Sequence, residues 1–304
     1  MKPTVLLTGG AGFMGSTVAR HLLEAGWDVR VYDALTYAGD RANLDGLDVA
    51  FLHADVGDGN LLWPAVREAD LVVHMAAESH VERSFTDGDR FIRTNVEGTR
   101  NVLAACVAAG NRPLLHVSTD EVFGSAADGV AFAEDAPLRP GNPYAATKAA
   151  AECLVAAWRN TFGLVTKVVR CTNNYGLRQH PEKAVAGWVR RAVAGAPLPL
   201  HGRGEAVRDW LHVDDFARGL VAVIAYEGPR EMFHLAGRQP RTNREMAELI
   251  AGLVGGVPLV EVPDRPGQDA RYALDDAATR VDLGWSPRVP LEDGVAALVA
   301  AARG

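Results

Sequence analysis

Tyr144 and Lys148 stand four residues apart in Tyr144-Ala145-Ala146-Thr147-Lys148, and on a helix that spacing puts both side chains on one face. A free phenol ionises near pH 10 and is a poor base at neutral pH, but a neighbouring ammonium favours the phenolate. The run Val117-Ser118-Thr119-Asp120-Glu121 adds a hydroxyl and two adjacent carboxyls. Charge on one carboxyl raises the pKa of the other, so such a pair can hold one acid and one base. Taken alone, the first pattern also fits an exposed helical Tyr with a solvated Lys, and the second the start of a loop.

A second constellation lies at the start of the chain. Thr8-Gly9-Gly10-Ala11-Gly12-Phe13-Met14-Gly15 follows an apolar run and leads into a helical pattern. A glycine turn there lets backbone approach a pyrophosphate, which then rests at the positive end of the helix. The same glycines would also suit a tight turn without a ligand. Asp33, about 20 residues further on, weighs towards the ligand-binding turn: a carboxylate there accepts from both ribose hydroxyls and repels a 2′-phosphate, which favours NAD over NADP. Asp55 follows the third strand and is a candidate for the adenine edge, or a plain turn aspartate.

These groups need a scaffold. Short apolar runs at Thr4–Leu7, Val29–Tyr32, Leu71–His74 and Leu114–Val117 alternate with helical patterns, the first at Gly15–Ala25. That rhythm predicts a doubly wound parallel sheet, whose ligands sit at the carboxyl ends of the strands. Longer helices are expected at about 89–109 and 142–162, then a strand at Val165–Arg170. Beyond Tyr175 prolines break the pattern, which predicts a smaller lobe. Residues 1–176 are expected to form the first domain, with a return at about 211–235, and 177–304 mainly the lobe.

With 304 residues, 48% of them hydrophobic, the chain can bury a sizeable core. The net charge of -7 argues against a nucleic-acid partner, since such proteins concentrate positive charge against phosphate. No apolar run reaches the roughly 20 residues of a membrane span. Met1–Leu7 reads as a strand rather than a signal peptide, so cytoplasmic residence is expected. Cys106, Cys153 and Cys171 lack metal or disulfide spacing and are expected as buried thiols. Histidines 74, 80, 180, 201, 212 and 234 show no ligand spacing either, and no metal is expected.

The glycine turn and the Tyr-Lys pair resemble the extended short-chain dehydrogenase/reductase superfamily, and Ser118-Thr119-Asp120-Glu121-Val122-Phe123-Gly124 resembles its dTDP-glucose 4,6-dehydratase branch. The likeness runs through Asp33-Ala34-Leu35-Thr36-Tyr37-Ala38-Gly39, Ala76-Ala77-Glu78-Ser79-His80-Val81, Thr172-Asn173-Asn174-Tyr175-Gly176, Val207-Arg208-Asp209-Trp210 and Asp264-Arg265-Pro266-Gly267. It implies an α/β protein, a Rossmann domain with a smaller α/β substrate lobe. It also implies NAD as cofactor, a nucleotide-sugar substrate, and a homodimer pairing through the helices at about 89–109 and 142–162.

In the implied reaction Tyr144 deprotonates the C4 hydroxyl, which Thr119 holds, Glu121 removes the C5 proton and Asp120 protonates the departing C6 hydroxyl, with Lys148 supporting the phenolate. By the same resemblance the cofactor meets Gly9, Gly12, Phe13, Met14, Gly15, Asp33, Ala34, Leu35, Thr36, Asp55 and Val56. From later segments come Met75, Ala76, Ala77, Ser79, Thr94, Tyr144, Lys148 and Asn174. The substrate side takes Ser79, Thr119, Asp120, Glu121, Asn173, Lys183, Ala184, Pro199, Leu200 and His201. Arg208 is matched to the diphosphate, and Asn243, Asp264, Arg265 and Gln268 complete the set. Phe123, Gln268 and Ala270 depart from the family's usual Tyr, His and Arg, which bears on base recognition or diphosphate affinity rather than on the chemistry. Alternatives on the same scaffold are a nucleotide-sugar 4-epimerase or decarboxylase; outside it, a non-catalytic NAD-binding sensor. The acid–base pair argues against the former, and the phenol–ammonium pair against the latter.

Overall fold

The computed structural model describes residues 2–304. The first six strands are β1 (Thr4–Thr8), β2 (Asp28–Asp33), β3 (Ala50–His53), β4 (Leu71–His74), β5 (Leu114–Thr119) and β6 (Thr166–Cys171). With β10 (Met232–Leu235) they form one seven-stranded sheet in the order β10-β6-β5-β4-β1-β2-β3, parallel throughout. The order reverses between β1 and β4, which opens a crevice at their carboxyl ends. Met1, which the expected first strand included, lies outside the described residues.

Helices cover both faces. Helices α1 (Phe13–Glu24) and α8 (Val213–Ala225) pack together on one face over Val5, Leu7, Val31, Val117 and Val169. Helices α2 (Gly59–Arg67), α5 (Gly98–Ala108) and α6 (Pro143–Phe162) cover the other over Leu6, Val72, Leu114 and Val168. Alternate residues of each strand thus face different helix layers, as the period of two requires.

The remaining strands are short. β7 (Asn173–Tyr175), β9 (Val207–His212) and β11 (Pro240–Thr242) form a three-stranded sheet, while β8 (Leu198–His201) pairs in parallel with β12 (Leu259–Val262). Helices α7 (Ala184–Val193), α9 (Asn243–Leu253) and α11 (Leu291–Arg303) bury Trp188, Trp210, Ile250 and Leu298 against them. Short helices α3 (Val81–Thr86), α4 (Gly88–Phe91) and α10 (Ala277–Leu283) fill the connections.

Two expectations are corrected. The helix expected at about 89–109 is not regular: a π-helical segment, Ile92–Glu97, separates α4 from α5. Cys153 is exposed on α6, because it lies on the face turned away from the sheet, whereas Cys106 and Cys171 are buried. All three thiols are free.

A buried ion pair joins α6 to β6. Arg170 donates to both carboxylate oxygens of Glu152, at 2.7 and 3.1 Å, and to the Glu134 carbonyl at 2.8 Å, with both side chains only 4% exposed. Removing one partner strands the other charge out of water. Glu152→Ala should therefore lower unfolding free energy by about 3–5 kcal/mol, read as a lower denaturant midpoint. A loss below about 1 kcal/mol, the range of an exposed pair, would show the pair to be dispensable.

Candidate active site

One continuous cleft at the carboxyl end of the sheet is lined by the turn after β1, the loops after β2, β3 and β4, Thr94 of the π-helical segment, the end of β5 with α6, the segment from the end of β6 to α7, and Trp210 of β9.

The turn after β1 admits only glycine at its tightest points. A Cβ on Gly15 would lie 2.1 Å from the Gly9 carbonyl oxygen, and one on Gly9 would lie 2.7 Å from the Ala76 amide nitrogen. Gly9 also has φ of +73°, a region L side chains rarely adopt. No side chain caps α1 at Gly12, so its first-turn amides face the cleft and are free to bind an anion. Asp33 ends β2 with Oδ2 accepting from the Ala11 amide (2.9 Å) and Oδ1 from the Leu35 amide (2.8 Å). Burial nevertheless holds its pKa above the ordinary carboxylate value. Each oxygen keeps a lone pair for a ribose hydroxyl. This cradle fits a dinucleotide.

At the reacting end, β5 is buried along its whole length and delivers Thr119, Asp120 and Glu121 to the cleft. The Thr119 hydroxyl accepts from the Glu121 amide at 3.3 Å and donates to Asp120 Oδ1 at 3.2 Å. Asp120 is 3% exposed and its Oδ2 has no partner. Burial, then the charge of Glu121, push its pKa well above the usual value, while Arg208 pulls the other way. Glu121 differs. Its Oε2 accepts from Asn142 Nδ2 and from the Tyr272 hydroxyl, both at 3.2 Å. Two adjacent carboxyls thus stand in unlike surroundings, Asp120 buried with one oxygen bare and Glu121 receiving two donors on one oxygen.

Tyr144 and Lys148 share the inward face of α6, at 8% and 4% exposure. Burial first, then the nearby carboxylates and Cys171, raise the phenol's pKa well above its ordinary value, with Thr119 opposing. Burial also lowers Lys148 to about 8, against the pull of Glu152. Its Nζ donates to the Val117 carbonyl at 2.8 Å, which leaves two donors for the cleft. Burial thus keeps the phenol neutral in the protein alone. Asn95 in the π-helical segment fixes this geometry: it accepts from the Glu78 amide (2.8 Å) and donates to the Glu78 carbonyl (3.0 Å) and the Thr147 hydroxyl (2.9 Å).

Of the expected cofactor residues all but Leu35 line the cleft; Leu35 turns into the core beneath α1. Ser79, Asn173, Lys183 and Ala184 line its outer part. The amide oxygens of Asn173, Asn174 and Gln179 are buried there without partners, ready for ligand donors. Other expected substrate residues stand apart from the cleft wall. Leu200 is wholly buried among lobe side chains, Pro199 accepts from Trp188 Nε1, and His201 contacts the Pro263 carbonyl. Asn243 opens α9, Asp264 abuts Gly202, Gln268 is half-buried and Arg265 pairs with Glu82 at 2.5 Å. Arg208 sits behind the wall, its guanidinium 4.3 Å above the Tyr272 ring and donating to the Asp269 carbonyl.

Phe123 stacks on Phe132 beneath the Arg170 guanidinium, 2% exposed and off the cleft wall. That departure is a packing change and does not bear on ligand recognition. Asn142, Asn95 and Tyr272 are functional neighbours that the sequence reading missed. Asn142-Pro143 carries a helix-start signal, but nothing local couples residue 121 to residue 272.

The sequence profile of the NAD dependent epimerase/dehydratase family matches residues 5–237, and the chain belongs to that family. NAD is the cofactor of the cradle described above. Within the family, it is 44% identical over 302 residues to the dTDP-glucose 4,6-dehydratase of Streptomyces antibioticus, covering 96% of this chain and 90% of that one. The crystal structure of DesIV, a dTDP-glucose 4,6-dehydratase from Streptomyces venezuelae with NAD bound, superposes with a TM-score of 0.95 at 42% identity over 99% of this chain and 97% of that one. A UDP-glucose 4-epimerase from Thermus thermophilus with NAD superposes with a TM-score of 0.92 at 32% identity, over 99% of both chains.

Gly15→Ala should abolish NAD binding while leaving the sheet intact, because its Cβ would press on the Gly9 carbonyl. Titration of the purified variant with NAD reads this out; binding within about threefold of wild type, under 1 kcal/mol, would mean the turn does not carry the pyrophosphate.

Proposed function

We propose that the enzyme converts dTDP-glucose to dTDP-4-keto-6-deoxyglucose, a hydro-lyase reaction in which NAD⁺ is regenerated each turnover. The carrying observation is the unlike pair Asp120 and Glu121 on the same cleft as Tyr144 and Lys148. The names of the 44% and 42% identical relatives support the same reading. Fold alone does not separate the candidates, since the epimerase superposes almost as well. The carboxyl pair does: an epimerase or a decarboxylase needs no acid and base for losing water between C5 and C6.

Bound NAD⁺ supplies hydride removal from C4 and hydride return to C6. Tyr144 accepts the proton of the C4 hydroxyl, with Thr119 holding that oxygen and Lys148 stabilising the phenolate. The resulting ketone acidifies the C5 hydrogen, which Glu121 takes. Asp120, held protonated by burial, gives its proton to the C6 hydroxyl, and water departs. A proton then returns to C5, so the sugar has lost one water and no net redox change remains. A binding-only sensor would have no use for this buried phenol.

We assign cofactor binding to residues 1–176 with the return at about 211–235, which supplies α8 and β10, and nucleotide-sugar binding mainly to the rest of 177–304. Arg208 is assigned to the diphosphate because its planar fork suits phosphate oxygens; in this structure it stands behind the cleft wall and donates to the Val207 and Asp269 carbonyls. The enzyme pairs as a homodimer through the helical stretch at about 89–109 and α6, where Ile92 of the π-helical segment and Cys153 and Ala157 of α6 are exposed. No described helix is long and apolar enough to cross a membrane, and the free thiols suit a cytoplasmic enzyme.

Incubation with dTDP-glucose should give a product lighter by one water and no net reduced cofactor. Glu121→Gln should slow that product by about 10²-fold or more while C4 oxidation continues, so bound NADH accumulates during turnover. An isomer of unchanged mass from wild type would mark an epimerase, and full turnover by the variant would remove Glu121 as the base.

A further inference from the structure

We infer that Asn142 is a positioning residue that joins the two half-sites of the reaction, holding the elimination base to the helix that carries the oxidation base. Its side chain has two ends and uses them differently. Oδ1 accepts from the Ala145 amide at 2.8 Å and caps α6, two residues before Tyr144. Nδ2 donates to Glu121 Oε2 at 3.2 Å. The residue is 6% exposed, so water competes with neither bond.

Only an amide does both jobs at this place. An N-cap acceptor is supplied equally well by Asp or Ser, but Asp has no donor for the carboxylate, and the Ser hydroxyl is a single atom on a shorter arm that cannot occupy both the Oδ1 and the Nδ2 positions. The bond to Glu121 fixes which oxygen turns to the cleft: Oε2 is occupied by Asn142 and by the Tyr272 hydroxyl, itself bonded to Asp269 at 2.9 Å. Oε1 is left for a substrate proton. The charged and titratable groups around Glu121 are Asp120 beside it, Tyr144 on α6, Lys183 before α7, and Tyr272 with Arg208 over its ring. Among these only Lys183 and Arg208 are cationic. A carboxylate introduced at 142 would therefore add to an already acidic corner.

The inference rests on the dehydratase reading, and three proteins separate them. Asn142→Asp and Asn142→Ser both keep a cap, so each should melt close to wild type. With dTDP-glucose, Asn142→Asp should lose about tenfold in kcat at neutral pH, the worth of a hydrogen bond to a charged group. The acid limb of its kcat profile should move to higher pH by about one unit, because the new charge opposes ionisation of Glu121. Bound NADH should build up during turnover, since C4 oxidation does not use Glu121. Asn142→Ser should lose rate with a smaller displacement of the limb. A purely structural role would instead lower the melting temperature with the pH profile unmoved. Wild type losing water while Asn142→Asp keeps the wild-type profile overturns the inference alone. A wild type that releases no water from dTDP-glucose overturns both it and the dehydratase reading.

Discussion

Two carboxyls stand next to each other in the chain, yet their surroundings differ in one respect that governs everything else in the cleft. Glu121 receives two hydrogen bonds on one oxygen, whereas Asp120 is sealed from water with an oxygen that receives none. Desolvation without a donor favours the protonated form, and donors favour the ionised one. Neither state comes from residue type. It comes from where the strand stops: β5 runs buried through Thr119, and the tight turn from Asp120 to Phe123 leaves the first carboxyl buried in the cleft wall and brings the second to Asn142 at the start of α6.

That turn constrains the rest. Thr119 caps it by accepting from the Glu121 amide, and its hydroxyl proton, turned to Asp120, is the one a substrate oxygen has to draw on. Helix α6 must begin close to Glu121, which its cap residue Asn142 ensures. Once α6 is placed, Lys148 reaches back to the Val117 carbonyl and ties the helix to the same strand three residues before the first carboxyl. Asn95 completes the frame from the opposite side. The π-helical segment offers its side chain to the Glu78 backbone and to Thr147 together. The loop of the cofactor cradle and the helix of the reacting groups are thereby held at a fixed spacing.

Much of this is legible in the residues. The alternation of apolar runs predicts the parallel sheet, and the strand expected at Leu71–His74 matches to the residue. The glycine turn, Asp33, Tyr144, Lys148 and the Thr119–Glu121 run all line one cleft as expected. The misreadings share a cause. The region at 89–109 has a continuous helical pattern, and period alone cannot register a widened turn made to reach a distant backbone. Cys153 is apolar by type, but its face of α6 has no sheet beneath it. Leu200 and His201 belong to a strand whose partner, β12, lies about 60 residues on in sequence, so whether they face ligand or lobe core depends on a pairing with no local signal. Tyr272 reaches Glu121 across 151 residues for the same reason.

The rim of the cleft follows a different rule from its floor. Arg83 meets Glu182, Arg265 meets Glu82, and Lys183 donates to the Ser79 carbonyl at 2.6 Å, so three contacts join the α3 region to the segments beyond β7. The carboxylates and guanidiniums of the two ion pairs are between 35% and 43% exposed. Exposed pairs of this kind contribute about 0–1 kcal/mol each, too little to lock a cleft and enough to bias it. The buried Glu152–Arg170 pair behind α6 has the opposite character, since parting it leaves a charge without water. Strong interactions therefore sit behind the reacting groups, where geometry must not change between oxidation and loss of water. Weak ones sit at the mouth, where a substrate has to enter and a product to leave.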